Sequence, residues 1–183
     1  DNDGARDAGE TGLVNVPVTL TGTDIYGQAV SLAGSTDADG RYTFANLRPG
    51  NYAVTENDAA LVPATYLDGK DTAGTSGGTL AGGSPKFDQI AAVALAQNTA
   101  ATGYNFGELR PATLAGAVFL DTDNDAAQGV GETGIGGATI TLTGTDDRGA
   151  AVNVTTVTAG DGTFSFTALR PGTYTLTETQ PAG

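Results

Sequence analysis

Residues 14–27, VNVPVTLTGTDIYG, carry the pattern that decides the fold. Apolar side chains stand at every second position, at Val14, Val16, Val18 and Leu20, so they fall on one face of a β-strand. The sequence DIYG at 24–27 then predicts a turn into a second strand around Val30 and Leu32. This stretch therefore predicts a β-hairpin with one apolar face.

The same alternation of strands and turns continues along the chain. DADG (37–40) and RPG (48–50) predict tight turns, because Pro presets φ and Gly accepts positive φ. Further strands are predicted in RYTFANL (41–47), YAVTE (52–56), FDQIAAVAL (87–95) and YNFGEL (104–109). Short strands with regularly spaced turn signals predict an all-β fold, an antiparallel β-sandwich.

An internal repeat organises the whole sequence. DND at 1–3 recurs at 123–125, an offset of 122 residues (123 − 1). At the same offset, without a gap, three longer strings recur: GETG (9–12 and 131–134), TLTGTD (19–24 and 141–146) and LRPG (47–50 and 169–172). So many matches in one register indicate a tandem duplication.

The duplication predicts two domains, neither of them complete. Residues 1–110 are expected to form a sandwich that lacks its first strand, because LAGAVFLDT (114–122) has no counterpart before Asp1. Residues 111–183 are expected to form a second, truncated repeat without its C-terminal strands. We expect a part of a larger protein, with two domains joined end to end by a short junction, like segments of a rod.

Composition and charge exclude several classes of function. Eight basic residues against 21 acidic ones give a net charge of −13, which repels nucleic acid phosphates and anionic lipid. The chain has no Cys and no His, which excludes thiolate chemistry and removes the usual general base and zinc ligand. No apolar run approaches the roughly 20 residues that cross a membrane, so we expect no membrane insertion.

The acidic run FLDTDNDAAQGVGE (119–132) matches the spacing of a calcium-binding loop. Its candidate ligands occupy positions one, three, five, seven and twelve of that pattern: Asp121, Asp123, Asp125, Ala127 through its carbonyl, and Glu132. Alternate residues of a tight loop can direct carboxylates to one point, and Ca²⁺ takes six to eight oxygen ligands. The spacing therefore predicts a calcium site.

DNDGARDAGE (1–10) is the counterpart of this run in the first repeat. Its candidate ligands lie at positions three, five, seven, nine and twelve: Asp1, Asp3, Ala5, Asp7 and Glu10. The residue at position one would precede Asp1, so we expect this site to be the weaker of the two. A solvated acidic loop without a cation is the alternative, but two loops that keep alternating acids and a terminal Glu favour ligation.

Two features separate the second loop from an EF-hand. Position six, which favours Gly at a sharp turn, is Ala126, whereas the first loop has Gly4 there. A predicted strand, and no helix, leads into the loop. We therefore expect an EF-hand-like loop on a β scaffold.

Weaker acidic clusters occur in the predicted turns. Additional metal ligands are considered at Asp24, Asp37, Asp39, Asp146 and Asp161, although DADG and GDG are also ordinary turn sequences. A further candidate is LDGKD (67–71) together with Asp88.

In combination, several strings make the chain resemble the SdrD B-like repeats of large bacterial surface adhesins, which are related to collagen-adhesin B-type domains. They are GAVFLDTDND, GETGIGG, TITLTGTD, LRPGTYTLTETQPAG, YLDGKDTAGTSGG and YNFGEL. The resemblance implies tandem transthyretin-like or reverse immunoglobulin-like sandwiches, stiffened by Ca²⁺, in an extracellular stalk on the bacterial cell surface. Neighbouring repeats of the same polypeptide are then the expected partners.

Collagen-adhesin B-type domains often carry a Lys–Asn isopeptide bond, and that feature is not expected here. The resemblance would place the lysine on the first strand, yet LAGAVFLDT has none, and the two lysines of the chain are Lys70 and Lys86. Glu56 and Asn105 match the acid and the acceptor in residue type. Without the strand lysine we interpret both as structural residues.

Three functions compete at this stage. The first is a calcium-binding structural spacer, and the second is an adhesin module that binds a host or environmental protein or glycan through exposed aromatics such as Tyr26, Tyr66 and Phe87. Repetition favours the spacer, because specific binding sites usually lie in unique domains. The third is an enzyme; we expect none, because the acids have metal spacing and no flanking aromatic cleft.

Overall fold

The computed structural model describes residues 2–57, 66–81 and 88–180, and every regular element within them is a β-strand. The chain divides into two compact units, Asp1–Leu109 and Arg110–Gly183. The first contains β1 (Pro17–Asp24), β2 (Ala29–Ser35), β3 (Gly50–Glu56), β4 (Leu67–Asp68), β5 (Thr79–Ala81), β6 (Asp88–Leu95) and β7 (Glu108–Leu109). The second contains β8 (Ala112–Ala117), β9 (Thr139–Asp146), β10 (Ala151–Val157), β11 (Thr163–Leu169) and β12 (Gly172–Thr179).

The first unit is built on a five-stranded antiparallel sheet in the order β2-β1-β3-β6-β5. The quoted hairpin forms one side of this sheet, with β2 as its edge strand and Leu20 opposite Leu32 on β2 and opposite Val54 on β3. A two-stranded sheet, β4-β7, accompanies it. The inward face of β1 is almost fully buried, with Val18 1% and Leu20 4% exposed, and Val16, just before the strand, is also 1% exposed. Val14, the first member of the alternating series, is 54% exposed, contrary to the alternation.

The core of the first unit lies between the large sheet and the chain that packs over it. Its buried residues come from β1, β3 and β6. The side chains that pack over them are half-buried and mostly aromatic: Tyr42, Phe44, Leu47, Tyr104 and Phe106. The Tyr42 hydroxyl donates to the Tyr104 carbonyl at 2.8 Å. Two apolar layers facing each other in this way make a β-sandwich, which confirms the predicted fold class.

The second unit repeats three strands of the large sheet of the first unit, since β10-β9-β12 corresponds to β2-β1-β3, but its other strands differ. Its sheets are β10-β9-β12 and β11-β8, and the core between them includes Ile140, Leu142 and Phe166. The sheet ends at β12 within the described residues, whereas its counterpart β3 pairs with β6. Leu176 on β12 is consequently 43% exposed, against 6% for Val54 on β3.

The 122-residue repeat is visible in local geometry as well as in sequence. The hydroxyl groups of Tyr52 and Tyr174 donate to the carbonyls of Arg48 and Arg170, both at 2.8 Å. Gly134 lies so close to the neighbouring turn that a Cβ would stand 1.8 Å from the Asp161 carbonyl oxygen, and Gly12 has the same relation to Asp39 at 2.1 Å. These contacts fix the exit of each acidic loop against the following hairpin turn.

Three predicted strands differ from the structure in extent. RYTFANL (41–47) is not a strand in the first unit, although its counterpart is β11 in the second. YNFGEL contributes only β7 and an isolated bridge between Asn105 and Thr72. The strand before the second acidic loop, β8, ends at Ala117, and one further bridge joins Phe119 to Gly134. The described residues include no helix long and apolar enough to span a membrane.

Candidate metal centre

Carboxylates of the second acidic loop converge on one point. One oxygen each from Asp121, Asp123 and Glu132 lies within 4.8 Å of the other two. Asp121 follows the bridge at Phe119, while Glu132 lies on the return toward Gly134, so the same short pairing brings both ends of the loop together. The structure thus gathers three of the carboxylates that the sequence pattern predicts as ligands.

Backbone amides hold the Asp121 carboxylate in place. Its Oδ1 accepts from the Asn124 amide at 2.6 Å and its Oδ2 from the Ala126 amide at 3.0 Å. The loop therefore curls around this side chain, which requires left-handed backbone at Asn124 (φ 61°) and Ala126 (φ 63°). Position six of the loop thus adopts the conformation that favours glycine, as expected, and Ala126 adopts it with strain.

Glu132 is held from both sides of the loop. Its Oε1 accepts from the Thr122 amide at 2.6 Å and from the Thr122 hydroxyl at 3.0 Å, and its Oε2 accepts from the Gly129 amide at 2.9 Å. The bonds from the backbone amides of Gly129 and Thr122 lower the pKa of Glu132 below its ordinary value of 4.5. The carboxylate is therefore ionised at neutral pH and oriented before any ligand arrives.

Asp125 stands apart from the converging group. The Oδ1 of Asp125 accepts from the Ala127 amide at 2.8 Å, so this carboxylate forms a local Asx turn. Both residues keep their places as predicted ligands, Asp125 through its carboxylate and Ala127 through its carbonyl.

The first acidic loop has the same turn but less convergence. The Oε2 of Glu10 accepts from the Asp7 amide at 3.0 Å, which matches the bond from Gly129 to Glu132, and Asp3 accepts from the Ala5 amide at 2.7 Å. Gly4, at position six, has φ 86°. Among the described residues Asp3, Asp7 and Glu10 form no converging group, and Asp1 lies outside them.

The acids of the weaker predicted sites lie in separate turns. Asp24, 7% exposed, accepts from the amides of Tyr26 and Gln28 and from Arg48, and Asp37 accepts from the amides of Asp39 and Arg41. In each case the pKa of the aspartate is lowered mainly by a hydrogen bond from the backbone amide four residues later, Gln28 for Asp24 and Arg41 for Asp37.

Their counterparts in the second unit have the same role. Asp146 closes a turn through the amides of Arg148 and Ala150, and Asp161 closes one through the amide and hydroxyl of Thr163. Asp39 lies 3.7 Å from Arg41. The structure brings none of these five acids into either of the converging groups found in the described part of the chain.

The other converging group was missed from sequence. Oxygens of Glu56, Asp88 and Glu108 lie within 4.8 Å of one another, with Glu56 5% and Asp88 2% exposed. One signal was present: Glu56 continues the inward-facing series Tyr52 and Val54, so an acid on that face points into the core. The site considered at LDGKD (67–71) with Asp88 does not form as one group. The Asp71 carboxylate accepts from the Gly107 amide at 3.3 Å, whereas Asp88 belongs to the group with Glu56 and Glu108.

The remaining singled-out residues have ordinary surroundings or lie outside the described residues. Tyr26 is 70% exposed under the Arg48 guanidinium, 5.5 Å from its ring centre, and Tyr66 is half-buried. Asn105 bridges to Thr72, and Glu56 belongs to the buried carboxylate group. Phe87 and Lys86 lie outside the described residues, so the absence of an isopeptide bond remains a prediction.

Comparison with known proteins agrees with this architecture. The model of the SdrD B-like domain family matches residues 1–108 and 112–183, one match for each unit. Serine-aspartate repeat-containing protein D of Staphylococcus aureus (strain Newman) is 32% identical over 98% of the chain, and protein E of strain USA300 is 31% identical over 99%. The chain spans only 13% and 14% of the lengths of these two relatives.

One solved structure also matches, a tetra-tandem repeat in the extending region of a large adhesion protein. The match is 21% identical and covers 92% of this chain and 42% of the other, with a TM-score of 0.20. The assignment rests instead on the family match, which covers both copies of the repeat together with their acidic loops. The chain is therefore a member of the SdrD B-like domain family.

Proposed function

We propose that the chain is a calcium-binding spacer repeat of a bacterial surface adhesin, which Ca²⁺ stiffens through the loop at 121–132. The observation that carries the proposal is the convergence of Asp121, Asp123 and Glu132 within 4.8 Å. Family membership supports the setting: an extracellular stalk in which the partners are neighbouring repeats of the same polypeptide. A structural role also accounts for a duplicated unit better than catalysis does.

The donor chemistry fits calcium. Every side chain in the converging group is a carboxylate, and hard oxygen ligands of this kind suit Ca²⁺. Asp121, Asp123 and Glu132 would hold the ion, with Asp125 and the Ala127 carbonyl as further candidates. Three like charges within 4.8 Å repel one another, so a bound cation removes an electrostatic penalty that the folded loop otherwise carries.

Binding at this place would stabilise the unit as a whole. The loop joins β8, through the bridge at Phe119, to the segment that leads into β9. An unfolded chain lacks the converged ligands, so the free energy of binding adds to the free energy of unfolding. At a calcium concentration 100 times the dissociation constant this linkage amounts to about 2.7 kcal/mol.

The test compares calcium binding with stability in one preparation. The full chain, stripped of metal, is titrated with CaCl2 by calorimetry and melted in Ca²⁺, in Mg²⁺ and in EDTA. We expect Ca²⁺ to raise the Tm of the second unit, and the double variant Asp121→Asn, Asp123→Asn to abolish that rise. Asp161→Asn removes one charge from a turn of the same unit outside the converging group, so it serves as the matched control.

The outcomes separate ligation from a general charge effect. An identical melt in Ca²⁺ and EDTA, together with no heat of binding, would sink the proposal. A rise that survives the double variant would also contradict it, because the ion would then be acting elsewhere. A rise that Mg²⁺ reproduces at equal concentration would argue against a calcium site.

A further inference from the structure

Strand β10 forms one edge of a sheet in the second unit. The order of that sheet is β10-β9-β12, so among the described strands β10 pairs with β9 alone. β2, its counterpart at the repeat offset, has the same place in the five-stranded sheet of the first unit. The outer side of β10 therefore presents a row of main-chain groups with no neighbouring strand in the described part of the chain.

The ladder between β9 and β10 shows which main-chain groups face this open edge. At its two ends the Thr158 amide donates to the Ala138 carbonyl and the Asp146 amide to the Ala150 carbonyl. Antiparallel ladders alternate, so every second residue between these ends bonds to β9: Val152, Val154 and Thr156. The open edge receives the amides and carbonyls of the remaining residues of the strand: Ala151, Asn153, Thr155 and Val157.

β10 lacks the features that usually protect an edge strand. Natural edges carry charged side chains, proline or bulges, which prevent a further strand from pairing. The sequence of β10, AVNVTTV, has no charged residue and no proline, and its register with β9 continues without a shift. Five of its seven residues are β-branched, and such side chains favour strands. The edge is therefore able to extend the sheet by a further strand.

An open groove of about 440 Å³ lies beside this edge, between β10 and β11. Its apolar lining comes from Val152 and Val154 on β10 and from Phe166 and Leu169 on β11. Val154, at the middle of its strand, is 43% exposed. A strand added at the edge would place its inward side chains at the mouth of the groove and remove this apolar surface from water.

β10 is complementary to a second copy of itself. When two copies run antiparallel with Val154 at the centre, Ala151 lies opposite Val157 and Asn153 opposite Thr155. Open-edge residues then meet open-edge residues, and each such pair can exchange two main-chain hydrogen bonds. The inward-facing Val154 meets its own copy. No shifted register pairs the full length of the strand.

Charge favours an uncharged partner of this kind. The chain has 21 acidic and 8 basic residues, and two copies with a net charge of −13 repel one another. β10 carries none of these charges, so charged side chains do not face one another across the paired strands. A strongly acidic or basic segment would find no opposite charge on β10, whereas another uncharged strand needs none.

We propose that β10 is a self-association surface. It binds the β10 of a second copy of this chain, antiparallel about a twofold axis at Val154, and forms one sheet across both molecules by β-augmentation. One strand pair buries less surface than the roughly 1,200–2,000 Å² of a stable complex, so the contact between single chains is weak. Several repeats in one polypeptide would multiply it through avidity. The inference goes beyond calcium binding, because the loop at 121–132 takes no part.

β2 of the first unit provides a matched control. It is also an uncharged edge strand, and Leu32, the counterpart of Val154, is 39% exposed. Its sequence AVSLAGS contains Gly34 and a single β-branched residue, Val30. Because glycine, alanine and serine stabilise strands less than valine and threonine do, β2 should pair with its own copy more weakly than β10 does.

The chain contains no cysteine, so single substitutions report which residues meet. The full chain with Val154→Cys or with Leu32→Cys is oxidised mildly in EDTA, which keeps the outcome independent of the calcium proposal. We expect Val154→Cys to form a disulfide-linked dimer about tenfold faster, because Cα atoms of a non-hydrogen-bonded pair lie about 4.5 Å apart, within the range of a disulfide. Equal rates for the two variants would overturn the proposal.

An equimolar mixture of Asn153→Cys and Thr155→Cys tests the register. These two positions lie opposite one another in the proposed pair, whereas two copies of the same variant meet only diagonally. We expect the mixed dimer to form faster than either homodimer. A homodimer that forms as fast as the mixed dimer would contradict the antiparallel register.

Thr155→Pro tests the open edge itself. The amide that it removes points away from β9, so the ladder of the second unit is kept and the Tm should change little. Added to Val154→Cys, it should remove the rate advantage over Leu32→Cys. If the proline lowers the Tm markedly, Asn153→Lys takes its place, because a lysine opposes edge pairing without removing an amide. A retained advantage in the folded variant would contradict pairing through this edge.

Competition with peptides identifies the occupant. A synthetic peptide of residues 151–157 should slow the cross-link at Val154, and a peptide of the same composition in scrambled order should not. Equal inhibition by both peptides would show that the edge accepts any uncharged extended segment, which would overturn recognition of a second copy.

Discussion

The two acidic loops carry nearly the same ligand pattern, yet only the second gathers its carboxylates in the described structure. Both loops close through a terminal glutamate whose carboxylate accepts a hydrogen bond from a backbone amide. Glu10 accepts from the Asp7 amide, and Glu132 accepts from the Gly129 amide. The second loop has in addition β8, which delivers Asp121 and lets Thr122 hold the other oxygen of Glu132. In the second unit, the strand before the loop therefore positions both its first carboxylate and the partner of its last one.

The same difference extends into the cores. β8 pairs with β11 and Phe166 is buried, while its counterpart Phe44 in residues 41–47 is half-buried. One strand thus supports the second acidic loop and part of the hydrophobic core at once. Variants at matched positions of the two units can separate these contributions.

The largest effect is expected from the matched phenylalanines. Phe166→Ala should lower the free energy of unfolding of the second unit by about 3–5 kcal/mol, because it leaves a cavity under β8. Phe44→Ala should lower that of the first unit by roughly half as much, since less of the ring is removed from solvent. Urea unfolding followed by NMR signals of each unit measures both values; equal losses would contradict the comparison.

The next largest effect concerns Asp121, the first proposed ligand of the second loop. Asp121→Asn should weaken calcium binding by about 100-fold or more, because asparagine lacks the negative charge. In addition, the Asp121 carboxylate shapes the loop by accepting hydrogen bonds from two backbone amides. Asp3→Asn in the first loop should leave this affinity unchanged. Calorimetric titration of both variants provides the measurement, and an equal loss in both would show that the loops are not distinct.

Position six of the loops gives a smaller and opposite pair of effects. Ala126→Gly should stabilise the second unit by about 1 kcal/mol, because it relieves the left-handed conformation at φ 63°. Gly4→Ala should destabilise the first unit by a similar or larger amount, since its Cβ would also stand 3.0 Å from the Thr72 hydroxyl. Thermal melts in EDTA would show the two shifts; the same sign in both would refute the strain argument.

The smallest expected effect is a dependence on pH. The folded-state pKa of Glu132 is lowered, so its contribution to stability is present above the ordinary value of 4.5 and is lost as pH falls through the folded value. The Thr122 amide proton should shift over the same range, because it donates to this carboxylate. Glu132→Gln should remove that transition from an NMR titration; its persistence would assign it to another group.

Local patterns in the sequence predicted the parts of the structure that local forces determine. Alternation located β1, and Asp24 closes the predicted turn after it. The spacing of Asp121, Asp123 and Glu132 predicted their convergence, since a short loop closes on itself. Asp125 lies outside the group although the spacing predicts it as a ligand, and its carboxylate accepts from the Ala127 amide.

Long-range pairing was harder to predict. RYTFANL has the residue pattern of a strand, but a strand forms only beside a partner strand. Among the described residues, only its counterpart in the second unit, β11, has such a partner. Glu56, Asp88 and Glu108 come from β3, β6 and β7, so no spacing along the chain reveals that they meet. The register of β3 and β6, which sets Glu56 opposite Asp88, had to be known first.

The position of β8 also has a mechanical consequence. When tension is applied to the chain at Arg110, β8 is the first element of the second unit to bear the load, and its ladder to β11 resists it. Once that ladder yields, the bonds of Val118 and Leu120 are the next to carry force, followed by the contact between Thr122 and Glu132. Unravelling from the Arg110 end therefore reaches the acidic loop before it reaches β9.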